Sequence, residues 1–151
     1  MTQKDKELLL KDLCARLYTC NCMHGTGLTV ALADEQPLEA NQWLISNYDC
    51  YKDKFIVTNI VYASDVERNV DIDNIRPYLF PMSSMTEEQK REYNKWKHYL
   101  PVCHYEYGDM VEEIELYDSP ESFEYLIENH FDYRGLIPMG LAIDATGLNI
   151  Y

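Results

Sequence analysis

VDIDNIRPYLFPMSSMTEEQKREY, Val70 to Tyr93, changes character twice, and the reading of the fold turns on those two changes. Val70 to Ile75 alternates apolar and polar residues, which predicts a half-buried strand. Pro77 and Pro81 then bracket Tyr78-Leu79-Phe80. Proline donates no ladder hydrogen bond, so this piece predicts an edge segment or an extended connection. After Ser83-Ser84 the residues Thr86-Glu87-Glu88-Gln89 spell a capping box: the threonine caps, Gln89 reaches back, and two glutamates meet the positive end of the helix dipole. Ser84 with Glu87 offers the same box two residues earlier.

Upstream, residues 4–18 predict an amphipathic helix with Leu9, Leu10, Leu13 and Leu17 on its apolar face and Lys6, Lys11 and Asp12 toward water. Gly25 and Gly27 predict a turn between short strands at Thr19–Met23 and Leu28–Leu32. Trp43-Leu44-Ile45 reads as strand. Phe55 to Tyr62, FIVTNIVY, is the clearest strand of the chain, apolar on both faces and so central in a sheet.

Downstream, a helix is expected over residues 87–99, with Tyr93, Trp96 and Leu100 on one face and Pro101 as its stop. Residues 102–117 suit a hairpin, although their acids fit a strand poorly. Ser119-Pro120-Glu121 starts a helix over 120–130, with Phe123, Leu126, Ile127 and His130 on one face. Gly135 and Pro138 break the chain again, and Leu141 to Tyr151 is apolar enough to dock. The expected class is α+β: an N-terminal helix, a small antiparallel sheet or partly open barrel, and two further helices.

A chain of 151 residues predicts one domain, and 46% hydrophobic with 13% aromatic residues predicts a globular one. Thirteen tyrosines need partners for their hydroxyls, which places many at the core edge or on a contact surface. The net charge is −13 and uneven: residues 1–100 hold 15 acidic and 12 basic side chains, residues 101–151 hold 11 acidic and Arg134 alone. Attraction to nucleic-acid phosphates or an anionic membrane is therefore not expected, whereas a basic protein partner fits. A solvated acidic face is the plain alternative. Five cysteines, no signal-peptide core and no apolar run of membrane-spanning length predict a cytoplasmic protein with reduced thiols.

Cys20, Cys22 and His24 lie close, but alternate residues of one strand cannot close a tetrahedral zinc site alone, so no metal and no cofactor is expected. Cys103-His104 with His98 gives a thiol beside imidazoles, yet strand neighbours face opposite ways, and no catalytic residue is assigned. The densest polar cluster is His130, Asp132, Tyr133 and Arg134. It could contact a ligand or partner, or serve a small enzyme as acid, base and anion clamp. The structural reading puts His130 at a helix end and Arg134 on an internal carboxylate such as Asp132 or Glu128.

Three blocks, Leu8–Leu17 (LLLKDLCARL), Val70–Tyr93 and Asn129–Tyr151 (NHFDYRGLIPMGLAIDATGLNIY), carry a resemblance to a group of short uncharacterised proteins of Bacteroides-type bacteria and their phages and mobile elements. They cover about 57 of 151 residues. The family continues the first block with a Pro-Tyr-Gly turn, where this chain has Tyr18-Thr19-Cys20-Asn21-Cys22. The resemblance implies a cytoplasmic, phage or prophage setting and no activity. The expectation is a non-enzymatic acidic accessory protein that binds a basic host protein, for example to inhibit a nucleic-acid-binding one. The competing expectation is a nucleotide-like ligand binder, its phosphates held by Arg16, Arg68, Arg76 or Arg134. Oligomeric state is not legible.

Overall fold

Gln3–Cys20 form α1. Its entry is a reciprocal cap, in which Asp5 N–H donates to Thr2 Oγ1 at 3.2 Å and Thr2 N–H to an Asp5 carboxylate oxygen at 2.9 Å. Leu9 and Leu13 are fully buried, each contributing about 2 kcal/mol of apolar burial. Asp12 is also fully buried, not turned to water as its position suggested. Thr19 and Cys20 belong to the helix rather than to a strand. The structure, a computed structural model, describes residues 1–20, 27–34, 43–59, 67–106 and 109–151, so the remainder of the expected Thr19–Met23 strand, like residues 60–62 of FIVTNIVY, lies outside the described residues. Two compact units are present, Met1–Ser84 with Ile127–Tyr151, and Met85–Leu126. The class is α+β.

In the first unit, strands β1 (Thr29–Leu32), β2 (Trp43–Asp49), β3 (Lys54–Asn59), β4 (Glu67–Val70), β5 (Ile75–Leu79) and β8 (Ile143–Asp144) form one sheet in the order β4-β3-β2-β1-β5-β8. Neighbours are antiparallel except β5 and β8, which run parallel from Tyr78↔Ile143, so the sheet is mixed rather than purely antiparallel. Among the described residues it does not close, and β4 and β8 are its edges.

Val70 to Ile75 is not one strand. Asp71-Ile72-Asp73-Asn74 is turn chemistry, and Ile72–Asn74 make a 3-10 turn with Asn74 N–H donating to Asp71 O at 2.9 Å. This short link joins β4 to β5, four strands away in the sheet. Five peptide steps span at most about 18 Å. Four strand spacings in a flat sheet span about 19 Å. Because Ile72–Asn74 are 3-10 and rise only about 2 Å per residue, the link falls short of that span and the sheet must curl; Val30, Leu32, Trp43, Ile45, Phe55, Val57, Ile75 and Leu79 form one buried cluster with Leu9 and Leu13.

Tyr78 and Leu79 are buried inside the sheet, not on an edge connection. Pro77 is tolerated because Ala33 N–H bonds to Asn74 O at 2.9 Å. The ladder bonds to β1 thus fall on Asn74 and, two residues on, Arg76, while the nitrogen of Pro77 in the Val30↔Pro77 pair points the other way. On that side β8 begins only at Tyr78.

In the second unit the capping box sits at Thr86: Gln89 N–H donates to its Oγ1 at 3.2 Å and Thr86 N–H to Gln89 Oε1 at 2.9 Å. The helix, α2, covers Glu87–Lys95 only. His98–Glu106 (β6) pair with Asp109–Tyr117 (β7) as a two-stranded ribbon. The helix expected to reach residue 99 stops early because His98–Tyr99-Leu100 gain ladder partners, and Pro101 lies inside β6 rather than ending the helix. α3 spans Pro120–Glu128, two residues short of the expected end. Phe123, placed on its apolar face by spacing, is 41% exposed.

Candidate functional site

The sequence cluster His130–Arg134 follows α3, in the first unit. His130 takes a left-handed backbone, φ 57°, which ends helical geometry and turns the chain toward β5. The segment then pairs with Phe80: Phe80 N–H donates to His130 O at 2.9 Å and Asp132 N–H to Phe80 O at 2.8 Å. Asp132 is buried, and its two carboxylate oxygens each accept a backbone N–H at 2.8 Å, from Leu136 and Ile137. It holds the turn around Gly135, whose φ of +72° suits glycine.

Arg134 does pair internally, but with Asp12 of α1 instead of Asp132 or Glu128, Nε to Oδ1 at 3.3 Å. Asp12 also binds Arg16, Nε to Oδ2 at 2.7 Å, and both side chains are fully enclosed. Arg16 Nη2 donates onward to Phe131 O at 2.8 Å. The two guanidinium groups lie over the Tyr133 ring at 5.6 and 4.8 Å from its centroid. One carboxylate thus joins two arginines and fixes α1 to the His130–Arg134 segment. Asp12 and Arg16 stand at i and i+4, a spacing that reveals a helix pair, but nothing in the sequence marks it as buried.

His130 is 4% exposed, and its ring stacks on Tyr151 with centroids 4.0 Å apart. Neither ring nitrogen has a hydrogen-bond partner among the described residues. Burial first, and the charge of Arg16 second, push its pKa down to about 4. The imidazole is therefore neutral and walled in. Of the four predicted contact residues, His130 and Asp132 are buried, and Tyr133 and Arg134 are half-buried.

A cleft of about 260 Å³ opens elsewhere in the first unit, between Gln3, Lys6, Glu7 and Leu10 of α1, Tyr48, Asp53 and Phe55 of the β2–β3 hairpin, and Asp71, Ile72 and Asp73. Its acids are already engaged. Asp73 pairs with Lys6, Asp71 with Lys54 at 3.4 Å, Glu7 accepts from Gln3 at 3.3 Å, and Asp53 accepts from Tyr48, whose phenol that bond pushes up to about 12. The arginines named for a phosphate ligand are similarly committed: Arg16 and Arg134 to Asp12, Arg68 to Asp34 at 2.7 Å, and Arg76 to the carbonyls of Asp73 and Ile75. Among the described residues no group of three or more His, Cys, Asp and Glu side chains is placed to hold a metal. Cys14 and Cys50 are free thiols. Cys22 and His24 lie outside the described residues, as do the side chains of Cys20, Cys103 and His104.

The second unit, Met85–Leu126, differs in charge and surface. It carries 11 acidic and four basic residues, net −7 within 42 residues, and from His98 to Leu126 there are eight acids and no Lys or Arg. Lys90 and Lys95 pair with Glu87 and Glu92 inside α2, leaving Lys97, 3.5 Å from Asp118, as the cation nearest the acidic stretch in sequence. Tyr93 bridges this region, donating to Asp118 at 2.6 Å and stacking on Tyr125 at 6.3 Å; burial and that carboxylate raise its pKa. Trp96, Tyr99, Met110, Tyr117 and Phe123 are 41–66% exposed here. Glu115, Glu121 and Glu124 of the same unit are exposed as well.

Comparison of the chain with protein-family models, curated proteins and solved structures returns no match. No described helix is long and apolar enough to cross a membrane.

Proposed function

We propose that this chain is a non-enzymatic accessory protein that binds a basic protein partner, and that residues 85–126 carry the contact surface. The observation that supports this reading is the acidic stretch His98–Leu126, without a single Lys or Arg, in the same unit as exposed Trp96, Tyr99, Met110, Tyr117 and Phe123. Exposed aromatics and methionine supply the apolar centre of an interface, and carboxylates around them steer a cationic partner and reject a nucleic acid. The His130–Arg134 cluster supports it indirectly, because its charged groups already hold α1 and a turn. In the cytoplasmic phage or mobile-element setting that the resemblance implies, the partner is a host nucleic-acid-binding protein whose basic face the carboxylates cover.

The test is affinity capture from host lysate at low and high salt with the wild-type chain and with a Glu115→Lys, Glu124→Lys variant. A basic protein held at low salt, released at high salt and missed by the variant is the expected outcome. A co-purifying nucleotide or other metabolite, with no salt-sensitive protein, would replace this reading with a ligand binder.

A further inference from the structure

Resting on that reading, we infer that the outer edge of β7 is a strand-addition site for an extended, basic segment of the partner. The β6–β7 register runs from His98↔Tyr117 to Glu106↔Asp109 with two residues between the strands. In a two-residue hairpin the closing pair exchanges both backbone hydrogen bonds, and bonded and non-bonded pairs alternate from there. Pro101↔Ile114 is then a non-bonded pair, and both nitrogens point away from the ribbon. Pro101 therefore removes one donor from the outer edge of β6, a common device for blunting an edge. The outer edge of β7 has no such block. Met110, Glu112, Ile114 and Leu116 present both N–H and C=O there, in a strand of nine residues without Pro, Gly or Lys. The described residues pair the ribbon with no third strand.

Charge selects the occupant. Asp109, Glu112, Glu113 and Glu115 make four of the nine β7 residues acidic. A second copy of this strand would set like charges against each other, which is unfavourable, whereas alternating Lys or Arg on an incoming strand meets opposite charge. Main-chain bonds would supply the affinity and the carboxylates the choice of partner.

The experiment uses the full chain and a nine-residue peptide of alternating Lys and Val, with a Glu–Val peptide as control. Backbone amide exchange is followed by NMR. Binding of the Lys–Val peptide should slow exchange at Met110, Glu112, Ile114 and Leu116. Ile114→Pro, which keeps the β6 ladder but deletes one outer donor, should weaken binding about tenfold. If that variant does not fold, the wild-type exchange pattern decides alone. Salt-sensitive peptide binding with unchanged exchange at those four amides would overturn this inference and leave the proposed function standing. Equal binding of the Glu–Val peptide, or concentration-dependent protection without peptide, would overturn it in favour of an uncharged edge or a second copy. No binding of the Lys–Val peptide together with no basic protein captured from lysate would remove both readings.

Discussion

Asp12 shows how one residue can hold a fold together. Its carboxylate is enclosed with Arg16 and reached by Arg134, so removing it leaves a buried guanidinium without its counter-charge. Asp12→Ala should cost about 3–5 kcal/mol in urea denaturation. Lys6→Ala, which deletes a partly exposed pair with Asp73, should cost less than about 1 kcal/mol. Similar losses from the two variants would argue against the buried triad. His130 adds a pH dependence. Its folded pKa, about 4, lies below the unfolded value of 6.5, so the unfolded chain takes up the proton first as pH falls. The histidine's contribution is complete above about pH 6.5 and lost progressively toward pH 4, about 3 kcal/mol in all. The stability of wild type relative to His130→Phe should fall by that amount between pH 7.5 and pH 4. A constant difference would show that the ring is not desolvated.

At the scale of elements, α2 is the clearest case of local chemistry deciding structure. Its nine residues bury nothing fully, so its start depends on the Thr86–Gln89 box and the glutamates at the positive dipole end. Thr86→Ala should cost about 1 kcal/mol. Because α2 has no fully buried residue, the loss should show as faster amide exchange in its first turn rather than through the whole chain. Its early end at Lys95 illustrates the opposite case. Propensity permits helix through Trp96 to Tyr99, yet His98 and Tyr99 enter a ribbon whose register is set by their β7 partners, Tyr117 and Leu116.

For the whole molecule the governing quantity is the distribution of charge. A net −13, with nine acids and no Lys or Arg between His98 and Glu128, opposes phosphate contact. Labelled duplex DNA should show no anisotropy change with the chain at about 50 mM salt. Association with a basic partner should slow steeply as ionic strength rises, since exposed charges are screened over about 10 Å at 0.1 M. Measurable DNA binding, or salt-independent partner association, would contradict this account of the surface.

The α+β class, the N-terminal and capped helices and the strand within Phe55–Tyr62 were all legible in the chain, because each rests on interactions within a few residues. Capping, apolar periodicity and β-branched runs are local signals. The acidic bias of the last third was legible too, being a property of composition. What tertiary structure alone decided was every long-range choice. Asp12 reads as a surface residue until Arg16, Arg134 and the arriving Phe131 segment close over it. Pro77 reads as an edge marker until the ladder phase with β1 turns its nitrogen to the side where β8 has not yet begun. Ile72–Asn74 reads as strand until the curled sheet requires a short turn between β4 and β5. His130 and Asp132 read as chemistry until the fold buries one ring and gives both oxygens of the other to backbone N–H groups. Burial and pairing depend on which distant segment arrives, and no local pattern encodes that.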